Sequence, residues 1–600
     1  MPCQCHVAAV KNRIADAARS SGIYGLFNLD GAPVEARDAQ VLGLPQAPEP
    51  QSWLAAGHDA HIQDAVSCHH SPSGFTLLVG EVEEAEALAD ALGLQHGVPP
   101  AALAEAALAR YGGELPAALI GEWSLLHRAQ NGQLTLMLSA AKRDRLHYVI
   151  RGKQVAVAPN LFALTGLDWV DNTIDEAGLL FPLGRADVRA GRGSSTMLKS
   201  VRQLEAGASV VIDPDGTISK RTAQTLIEQP RWQGNYDDAI AETETLLRRI
   251  MRTKLTRHRH VAPTLSGGLD SSLLTWLCAE ERLPKTGLCA LTSVAPPGSG
   301  IADEASFADL VAQTLGMESR HVFPEFDVNI YRPPDHILTG GSGPILVNRH
   351  CLTSALQIAA KDLSATLMVD GIYGEMSATA RLPSANPLRQ LRSAIGRLIR
   401  STPMLGSPAI AMTPFHVRLA PHRLVDLPEP ICVALSAPRS MPVWPRPNGL
   451  LGYMPGTEKA LMMPNEFYPG AVRMTRPFAD IRLLRLFAGF PMQMLVKGGA
   501  DRGIGRAMLS GHLPDAIRLR RRGMPASPDH LSRLQRQAGA ARLRIPHFRK
   551  AEVDDWLDLD WLDTTLRSVA ARGAVDVDQA NEVQLTAMAA EFLLWWRLQS

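Results

Sequence analysis

The stretch PTLSGGLDSSLLTWL, from Pro263 to Leu277, places two glycines, one carboxylate and three hydroxyls between a short apolar segment and a helix-like run. Glycines there let backbone N–H groups approach a phosphate chain closely, and a following helix N-terminus adds favourable partial charge. Serine hydroxyls can donate further hydrogen bonds. We therefore interpret this stretch as a loop that binds a phosphate chain. Its predicted binding residues are Ser266, Gly267, Gly268, Ser271 and Ser272.

Asp270 is the residue of this loop that would repel a phosphate chain. A Mg²⁺ ion held jointly by the carboxylate and phosphate oxygens removes that conflict. The loop lacks the Gly-Lys-Ser/Thr string of the common nucleotide-binding loop, so it is a different kind of cradle. We therefore predict Mg²⁺ together with a ligand that carries phosphates, with Asp270 as a metal ligand.

The elements around this loop predict where it lies. From about residue 236, short apolar runs such as VAPTL, GLCALTSVA and ATLMV alternate with helical patterns, which indicates a parallel sheet with crossover helices. In such sheets ligands bind beyond the carboxyl ends of the strands. Residues 21–220 instead carry short β-branched or aromatic runs with one intervening helix, PPAALAEAALARYG. The predicted fold is an α+β sandwich, then an α/β domain with C-terminal helices.

Composition sets broad limits on function. The 600 residues are 46% hydrophobic and 20% charged, with a net charge of +1, so no nucleic-acid or membrane partner is indicated. Seven scattered cysteines argue against a disulfide framework, and CQCH and CHH have no second pair at zinc-site spacing. Without a signal-like or membrane-spanning run, the expected location is the cytoplasm.

Residues 376–455 have a different texture. They are rich in Pro, Ser and Arg, and from Arg381 to Arg439 there are eight arginines, no lysine and only two acids. A long surface insertion explains this composition most simply. A basic wall for an acidic or peptide substrate is the alternative.

Taken together, these motifs resemble a known family. LSGGLDSS resembles the pyrophosphate-binding loop of ATP pyrophosphatases, in the version found in class B asparagine synthetases. DEASFADLVAQTLG, VDGIYGEMS, RPFADIRLLRLFAGFP and ADRGIGRAMLSGHLPDAIRLRRRG are similar to later segments of that family. GIYGLFNLDG, LVGEV and LIGEWSLLHRAQNGQLTLMLSA resemble a class II (Ntn-type) glutamine amidotransferase domain. The resemblance implies an amidotransferase-like domain at 1–225 and a synthetase domain at 236–600.

The resemblance also implies ATP and Mg²⁺ as cofactors, and roles for individual residues. Asp270 and Glu375 would be the metal ligands, with Asp370 as the fallback. Gly371 would pass close to the nucleotide. Leu265 and Leu291, assigned from their strand-end position alone, would flank the adenosine.

Cations and a base are needed as well. The family's late lysine has no lysine counterpart here. Within Arg520–Arg522, Arg522 fits its position best, and the planar fork of an arginine suits phosphate. Arg502 and Arg506 are further phosphate candidates, with a solvated helix face as the alternative. Tyr373 and Glu375 are the nearest candidates for the general base. We interpret Glu304 as an ordinary acid at a helix N-terminus.

The amidotransferase motif departs from its pattern at the nucleophile. Where that family begins with an N-terminal Cys before Gly-Ile-x-Gly, this chain has Ser21, which is internal and has no free α-amine. Cys3 and Cys5 lie outside the motif. We expect that glutaminase chemistry is lost, so that an amine other than ammonia attacks the acyl-adenylate.

Two relatives that dispense with the Cys are the β-lactam synthetase and the lasso-peptide macrolactam synthetase, or lasso cyclase. Ile372 stands where β-lactam synthetases have a catalytic Tyr, the insertion suits a large substrate, and the EFLLWWRLQS ending resembles lasso cyclase tails. A lasso cyclase is therefore the predicted function. It implies a precursor peptide, a leader-binding protein and a leader peptidase as partners. A small-molecule amide synthetase and a non-catalytic scaffold are the alternatives.

Overall fold

The computed structural model describes most of the chain outside the N-terminus and the arginine-rich region. The described residues are 22–42, 52–57, 66–140, 146–185, 188, 191–223, 231–325, 328–339, 343–344, 346–380, 415–436, 472–495, 502–521, 523–524, 526–574 and 576–599. Ser21, Arg522 and most of the 376–455 stretch therefore lie outside the described residues. Within residues 415–436 the chain forms two short helices.

Two antiparallel sheets form the N-terminal part. One has the strand order β2-β1-β8-β7-β9 and the other β11-β10-β6-β5-β4-β3. Their strands are β1 Gly22–Asn28, β2 Ser52–Gly57, β3 Val66–Ser71, β4 Gly74–Val82, β5 Gly121–Ala129, β6 Leu134–Leu138, β7 His147–Arg151, β8 Gln154–Ala158, β9 Val201–Gln203, β10 Ala208–Ile212 and β11 Ile218–Thr222. The predicted strand-rich region is confirmed in this range.

The two sheets bury a shared apolar core. Ile23 and Phe27 of β1 contact the same cluster as Leu77 of β4 and Leu136 of β6. Side chains alternate along a strand, so each strand contributes every second residue to this layer. The predicted helix after β4 is present as Pro100–Tyr111, and it packs on the outer face with Trp123.

A parallel sheet follows, with the order β14-β13-β12-β15-β16. Its strands are β12 His260–Pro263, β13 Gly287–Ser293, β14 Glu318–Val322, β15 Leu367–Val369 and β16 Arg473–Thr475. Its strands pair in parallel, as the alternation of strands and helices predicts. The pyrophosphate-loop candidate leaves the central strand, β12, at its carboxyl end.

Helices pack around the three sheets and form most of the C-terminal part. They are α1 Ala36–Val41, α2 Ala85–Leu92, α3 Pro100–Tyr111, α4 Leu115–Ala118, α5 Leu161–Leu164, α6 Glu176–Leu180, α7 Tyr236–Leu255, α8 Leu269–Glu281, α9 Ala305–Thr314, α10 Asp335–Thr339, α11 His350–Asp362, α12 Pro421–Val425, α13 Glu429–Ser436, α14 Ile481–Gly489, α15 Met492–Leu495, α16 Gly503–Met508, α17 Asp515–Arg518, α18 His530–Arg542, α19 Ile545–Lys550, α20 Leu559–Arg572 and α21 Val577–Arg597. No helix among the described residues is long and apolar enough to cross a membrane.

The first helix of the C-terminal part, α7, shows how sequence specifies these elements. Asn235 and Asp238 form a capping box at its start, and basic residues occupy its last turn. Its apolar face, which includes Leu247 and Ile250, packs into the core around the parallel sheet. At the other end of the chain, α21 places Trp595 edge-on to Phe162 of α5, at 4.9 Å between ring centroids. The C-terminal helix therefore shares a core with the N-terminal part.

Charged side chains meet where the antiparallel sheet that contains β4 and β5 approaches α7, β16 and α14. Lys254 is buried and its Nζ lies 2.9 Å from Glu83 Oε1 and 3.2 Å from Glu122 Oε1. Burial alone would lower the pKa of Lys254, but Glu122 and Glu83 outweigh it and hold that pKa above its ordinary value. We call the whole group the boundary cluster. Its members are Glu81, Glu83, Glu84, Glu122, Lys254, Arg473, Asp480 and Arg482.

Candidate active site

The Ser266–Gly268 loop joins β12 to α8 and is tied to its neighbours on both sides. The backbone N–H of Thr264 donates to Val369 O, and that of Leu265 donates to Leu291 O, each at 2.9 Å. Ser266 and Ser271 place their hydroxyl oxygens 3.1 Å apart. The loop therefore opens directly onto the N-terminus of a 13-residue helix, as an anion cradle requires.

Glycine is required at two positions around this loop. Gly267 has φ of +66°, and a Cβ added to it would lie 2.5 Å from the Cβ of Phe307. A Cβ added to Gly371 would lie 2.9 Å from the backbone nitrogen of Ser271. The second loop, from Asp370, thus packs against the first turn of α8 only because residue 371 has no side chain.

Asp270 lies in the first turn of α8 and faces the second loop. It accepts a hydrogen bond from Thr379 Oγ1, and the Arg502 guanidinium lies 3.9 Å from its other oxygen. Its side chain keeps about a quarter of its surface exposed. Asp370, at the end of β15, is more enclosed and pairs with Arg476 at 3.2 Å. The two carboxylates are thus held by different cations.

A cavity of about 510 Å³ lies beyond the carboxyl ends of β12, β13 and β15. The predicted residues that line it are Leu265, Ser266, Gly268, Asp270, Ser271, Leu291, Asp370, Gly371 and Glu375. Its other wall comes from α11 and the residues before it, with Val347, Leu352 and Leu356 as apolar members. The structure therefore brings most of the predicted site together, with an apolar wall facing the polar loop.

Several predicted residues do not reach this cavity. Ser272 is fully buried, and within the described chain its hydroxyl has no hydrogen-bond partner. Tyr373 has its ring buried in the core around the parallel sheet, while Ile372 lines the cavity in its place. Tyr373 is therefore not placed to act as a base on a substrate. Gly267 contributes its backbone turn rather than the cavity lining.

The arginine candidates also separate. Arg502 is buried and approaches Asp270 rather than the open cavity. Arg506 is buried and donates to the carbonyl oxygens of Arg518, at 2.6 Å, and Arg520, at 3.3 Å. It therefore supports the backbone of residues 518–520 instead of a phosphate. The prediction for Arg522 lies outside the described residues.

Sequence reasoning missed Arg349, which lines the cavity opposite the loop. It stands just before α11, and its side chain is exposed. Desolvation nevertheless lowers the pKa of its guanidinium, and nearby Asp370 opposes that shift. Arginine stays protonated even so, which makes Arg349 a fixed positive charge at the apolar wall. No local sequence signal marks it, because its position depends on how α11 packs.

Glu304 also lines the cavity, and its contacts contradict its interpretation as an ordinary helix-start acid. It makes no side-chain capping bond to α9. Instead it pairs with Arg520 Nη2 and accepts the backbone N–H of Met524, both at 2.5 Å. Glu304 therefore connects the start of α9 to residues that follow α17.

The donors at this cavity fit Mg²⁺, although they do not form a cage. Among the described residues no group of three or more His, Cys, Asp or Glu side chains could hold a metal ion. Mg²⁺ is commonly bound through one or two carboxylates, with substrate phosphates and water completing its octahedron. Asp270 and Glu375 line the same cavity and supply such oxygens. A metal here would therefore depend on the nucleotide.

Comparison with known proteins agrees with this geometry for part of the chain. Residues 242–330 and 471–597 match the asparagine synthase family model, about a third of the sequence. The match includes the Ser266–Ser272 loop, Glu304 and Arg520, whereas Arg349 and the second loop lie between its two segments. An asparagine synthase domain implies an ATP-dependent amide-bond ligase.

Similar solved structures are distant. The structure of the allosteric regulatory enzyme of purine biosynthesis is 11% identical, with 64% of this chain and 75% of that chain covered at a TM-score of 0.23. Glutamine phosphoribosylpyrophosphate amidotransferase from B. subtilis, complexed with ADP and GMP, is 10% identical over 65% and 76%, with a TM-score of 0.22. A U34-tRNA thiolase from Methanococcus maripaludis is 15% identical over 47% and 76%, with a TM-score of 0.20. No curated protein matches the chain in sequence. These TM-scores are too low to support an inference about this chain.

Proposed function

We propose that this protein is an ATP-dependent, AMP-forming ligase that closes a macrolactam ring in a peptide, as a lasso cyclase does. The observation that carries the adenylation step is the Ser266–Gly268 loop at the N-terminus of α8, opening with Asp270 into a 510 Å³ cavity. An anion cradle that contains a carboxylate is explained by a nucleotide that arrives with Mg²⁺.

In the first step, a side-chain carboxylate oxygen of an Asp or Glu in the peptide attacks the α-phosphorus of ATP. The bond from that phosphorus to the bridging oxygen breaks, and pyrophosphate leaves. The loop N–H groups and the hydroxyls of Ser266 and Ser271 bind the leaving group, and helix α8 adds partial positive charge. Mg²⁺, held by Asp270 and Glu375, would neutralise charge on the phosphates.

In the second step, the peptide's N-terminal amine attacks the acyl carbon. The acyl–oxygen bond breaks, AMP leaves, and the nitrogen loses a proton. Glu375 is an exposed carboxylate in the cavity and would accept that proton once Mg²⁺ has left with pyrophosphate. A folded peptide that brings amine and adenylate together makes this step effectively unimolecular, so few further groups are needed.

Two features support a peptide substrate over a small amino acid. The cavity presents Ile372, and the neighbouring Tyr373 ring lies in the core, so the second loop offers no phenol of the β-lactam synthetase kind. Ser21, which lies outside the described residues, stands where the amidotransferase motif has its Cys, and this supports an attacking amine other than glutamine-derived ammonia. A precursor peptide, a leader-binding protein and a leader peptidase in the cytoplasm are the partners that this function requires.

The test is Mg²⁺-dependent release of AMP and pyrophosphate, with three substrate sets in parallel. These are aspartate with glutamine, small β-amino acids, and a leader-free acidic peptide encoded beside the protein. AMP with the peptide alone, together with a product lighter by one water, is the expected result. AMP with a small amino acid would replace the proposal with a small-molecule amide synthetase.

Two variants make that assay specific to the site. Asp270→Asn should abolish AMP release, whereas Asp560→Asn, at a carboxylate 89% exposed and remote from the cavity lining, should leave it unchanged. A folded wild-type protein that neither binds ATP nor releases AMP would indicate a non-catalytic scaffold.

A further inference from the structure

We infer that Glu304 and Arg520 form a latch that holds the arginine segment, residues 518–524, against the pyrophosphate loop. By doing so the pair sets the affinity of the site for the pyrophosphate part of the nucleotide. Both are positioning residues in this account. The inference rests on the proposed function, because it takes the Ser266–Gly268 loop to be where the phosphates bind.

The first observation is that one carboxylate oxygen holds both ends of a five-residue stretch. Glu304 Oε1 lies 2.5 Å from Arg520 Nη2 and 2.5 Å from the backbone nitrogen of Met524. The backbone of Gly523 passes so close that an added Cβ would lie 3.2 Å from the same oxygen. Arg520, Gly523 and Met524 thus meet at a single acid.

The second observation is that Arg520 reaches the pyrophosphate loop itself. Its Nη1 donates to Gly267 O at 3.2 Å. Its guanidinium carbon lies 3.9 Å from the ring centroid of Phe307. Phe307 in turn packs against Gly267, which has no room for a Cβ. Arg520 is therefore bonded to the loop and stacked on the residue that supports it.

Charge and burial show why this arrangement acts as a latch. The Arg520 and Glu304 side chains are 10% and 7% exposed, so neither finds comparable solvation if the pair separates. Arg506 holds the carbonyls of Arg518 and Arg520 from the other side. Arg521, between the two pinned ends, is exposed. The latch thus uses the charge of Arg520 internally, while the charge of Arg521 stays exposed.

The direction in which Glu304→Gln changes ATP affinity separates a latch from direct phosphate binding by Arg520. If Arg520 contacted phosphate itself, Glu304 would compete with the phosphate, and Glu304→Gln would tighten ATP binding. If the pair acts as a latch, Glu304→Gln and Arg520→Gln should both weaken binding of ATP and of pyrophosphate by about tenfold, which corresponds to about 1.4 kcal/mol. The double variant should be no weaker than either single variant, because each breaks the same contact.

The experiment measures dissociation constants of MgATP, pyrophosphate and AMP by calorimetry for the full-length wild type and these three variants. AMP, which lacks the pyrophosphate part, should bind all four proteins alike. Glu304→Asp, which keeps the charge, should restore part of the ATP affinity. Glu591→Gln is the matched control: this buried acid pairs with Arg544 at 2.7 Å, lies outside the cavity lining, and should change none of the constants.

The outcomes are distinct. Glu304→Gln with unchanged or tighter ATP binding overturns the latch, as does equal weakening for ATP and AMP. Folding of Glu304→Gln and Arg520→Gln is judged by thermal unfolding against the Glu591→Gln control. If these variants fold poorly, the ratio of AMP affinity to ATP affinity in Glu304→Asp replaces them as the test. A folded wild type that binds neither ATP nor pyrophosphate sinks the proposed function rather than the latch.

Discussion

The boundary cluster should make Lys254 one of the most sensitive positions in the chain. The perturbation is Lys254→Met, which keeps the length of the aliphatic side chain and removes its charge. Lys254 Nζ contacts Glu83 and Glu122 at 2.9 and 3.2 Å, and its side chain is 6% exposed. Without the cation, both carboxylates lose a partner that solvent cannot replace.

The magnitude follows from what each acid retains. Breaking a buried ion pair typically costs about 3–5 kcal/mol, because a charge is left uncompensated. Here Glu83 keeps Arg482, and Glu122 keeps Arg473 at 3.5 Å. Neither acid is therefore left alone, and we expect the lower end of the range, about 3 kcal/mol.

The assay is urea unfolding followed by far-UV circular dichroism and by tryptophan fluorescence. A chain of 600 residues does not unfold in one step, so the free energy is taken from the first transition. Lys285→Met removes the same charge at an exposed position and should cost less than about 0.5 kcal/mol. Lys254→Met in a Glu122→Gln background should cost at least about 1 kcal/mol less than in the wild type.

A loss below about 1 kcal/mol for Lys254→Met would refute this reasoning, since it would show that the boundary tolerates an unpaired acid. Equal losses in the Glu122→Gln and wild-type backgrounds would refute it as well. They would mean that packing of the lysine stem, rather than its charge, is what stabilises the boundary.

Three further predictions concern the cavity and acid stability. Gly371→Ala should lower ATP-dependent turnover, measured as AMP release, at least about tenfold, because the added Cβ would lie 2.9 Å from Ser271 N. Gly539→Ala is the neutral control, since a Cβ there meets nothing within 4 Å. Tyr373→Phe should keep kcat within about twofold, since the ring is buried in the core; a loss above a hundredfold would restore it as a base. Burial lowers the pKa of His258 to about 4, so the unfolded chain binds the proton more tightly and stability should fall as pH drops from about 6.5 to 4. Urea unfolding at several pH values should show a shallower fall in His258→Asn.

Local patterns in the sequence predict the elements well. The strand runs, the amphipathic helix at Tyr236–Leu255 and the alternation around β12 each depend on periodicity within one segment. The pyrophosphate-loop candidate is equally local, because its glycines, serines and carboxylate are contiguous. Such features are visible before any tertiary contact is known.

The roles of Arg349, Glu304 and Tyr373 were missed or misplaced for a common reason. Each depends on the direction in which a side chain leaves an element, which is set by packing between segments far apart in the chain. Glu304 and Arg520 are separated by 216 positions, yet their atoms lie 2.5 Å apart. Ile372 and Tyr373 are adjacent in sequence. Tyr373 has a φ of +77°, and at this turn its ring lies in the core while the Ile372 side chain lines the cavity. Sequence spacing alone does not encode either outcome.

The boundary cluster also gives the N-terminal sheets a structural role in the proposed ligase. Arg473 and Arg476 flank the short strand β16. Arg473 pairs with Glu81 and Glu122 of the antiparallel sheet, and Arg476 pairs with Asp370 at the cavity. Acids of the N-terminal part and an acid of the site are therefore attached to opposite ends of one three-residue strand. Those acids are needed electrostatically whatever chemistry the N-terminal part carries out, because the cations that they neutralise belong to the framework of the cavity.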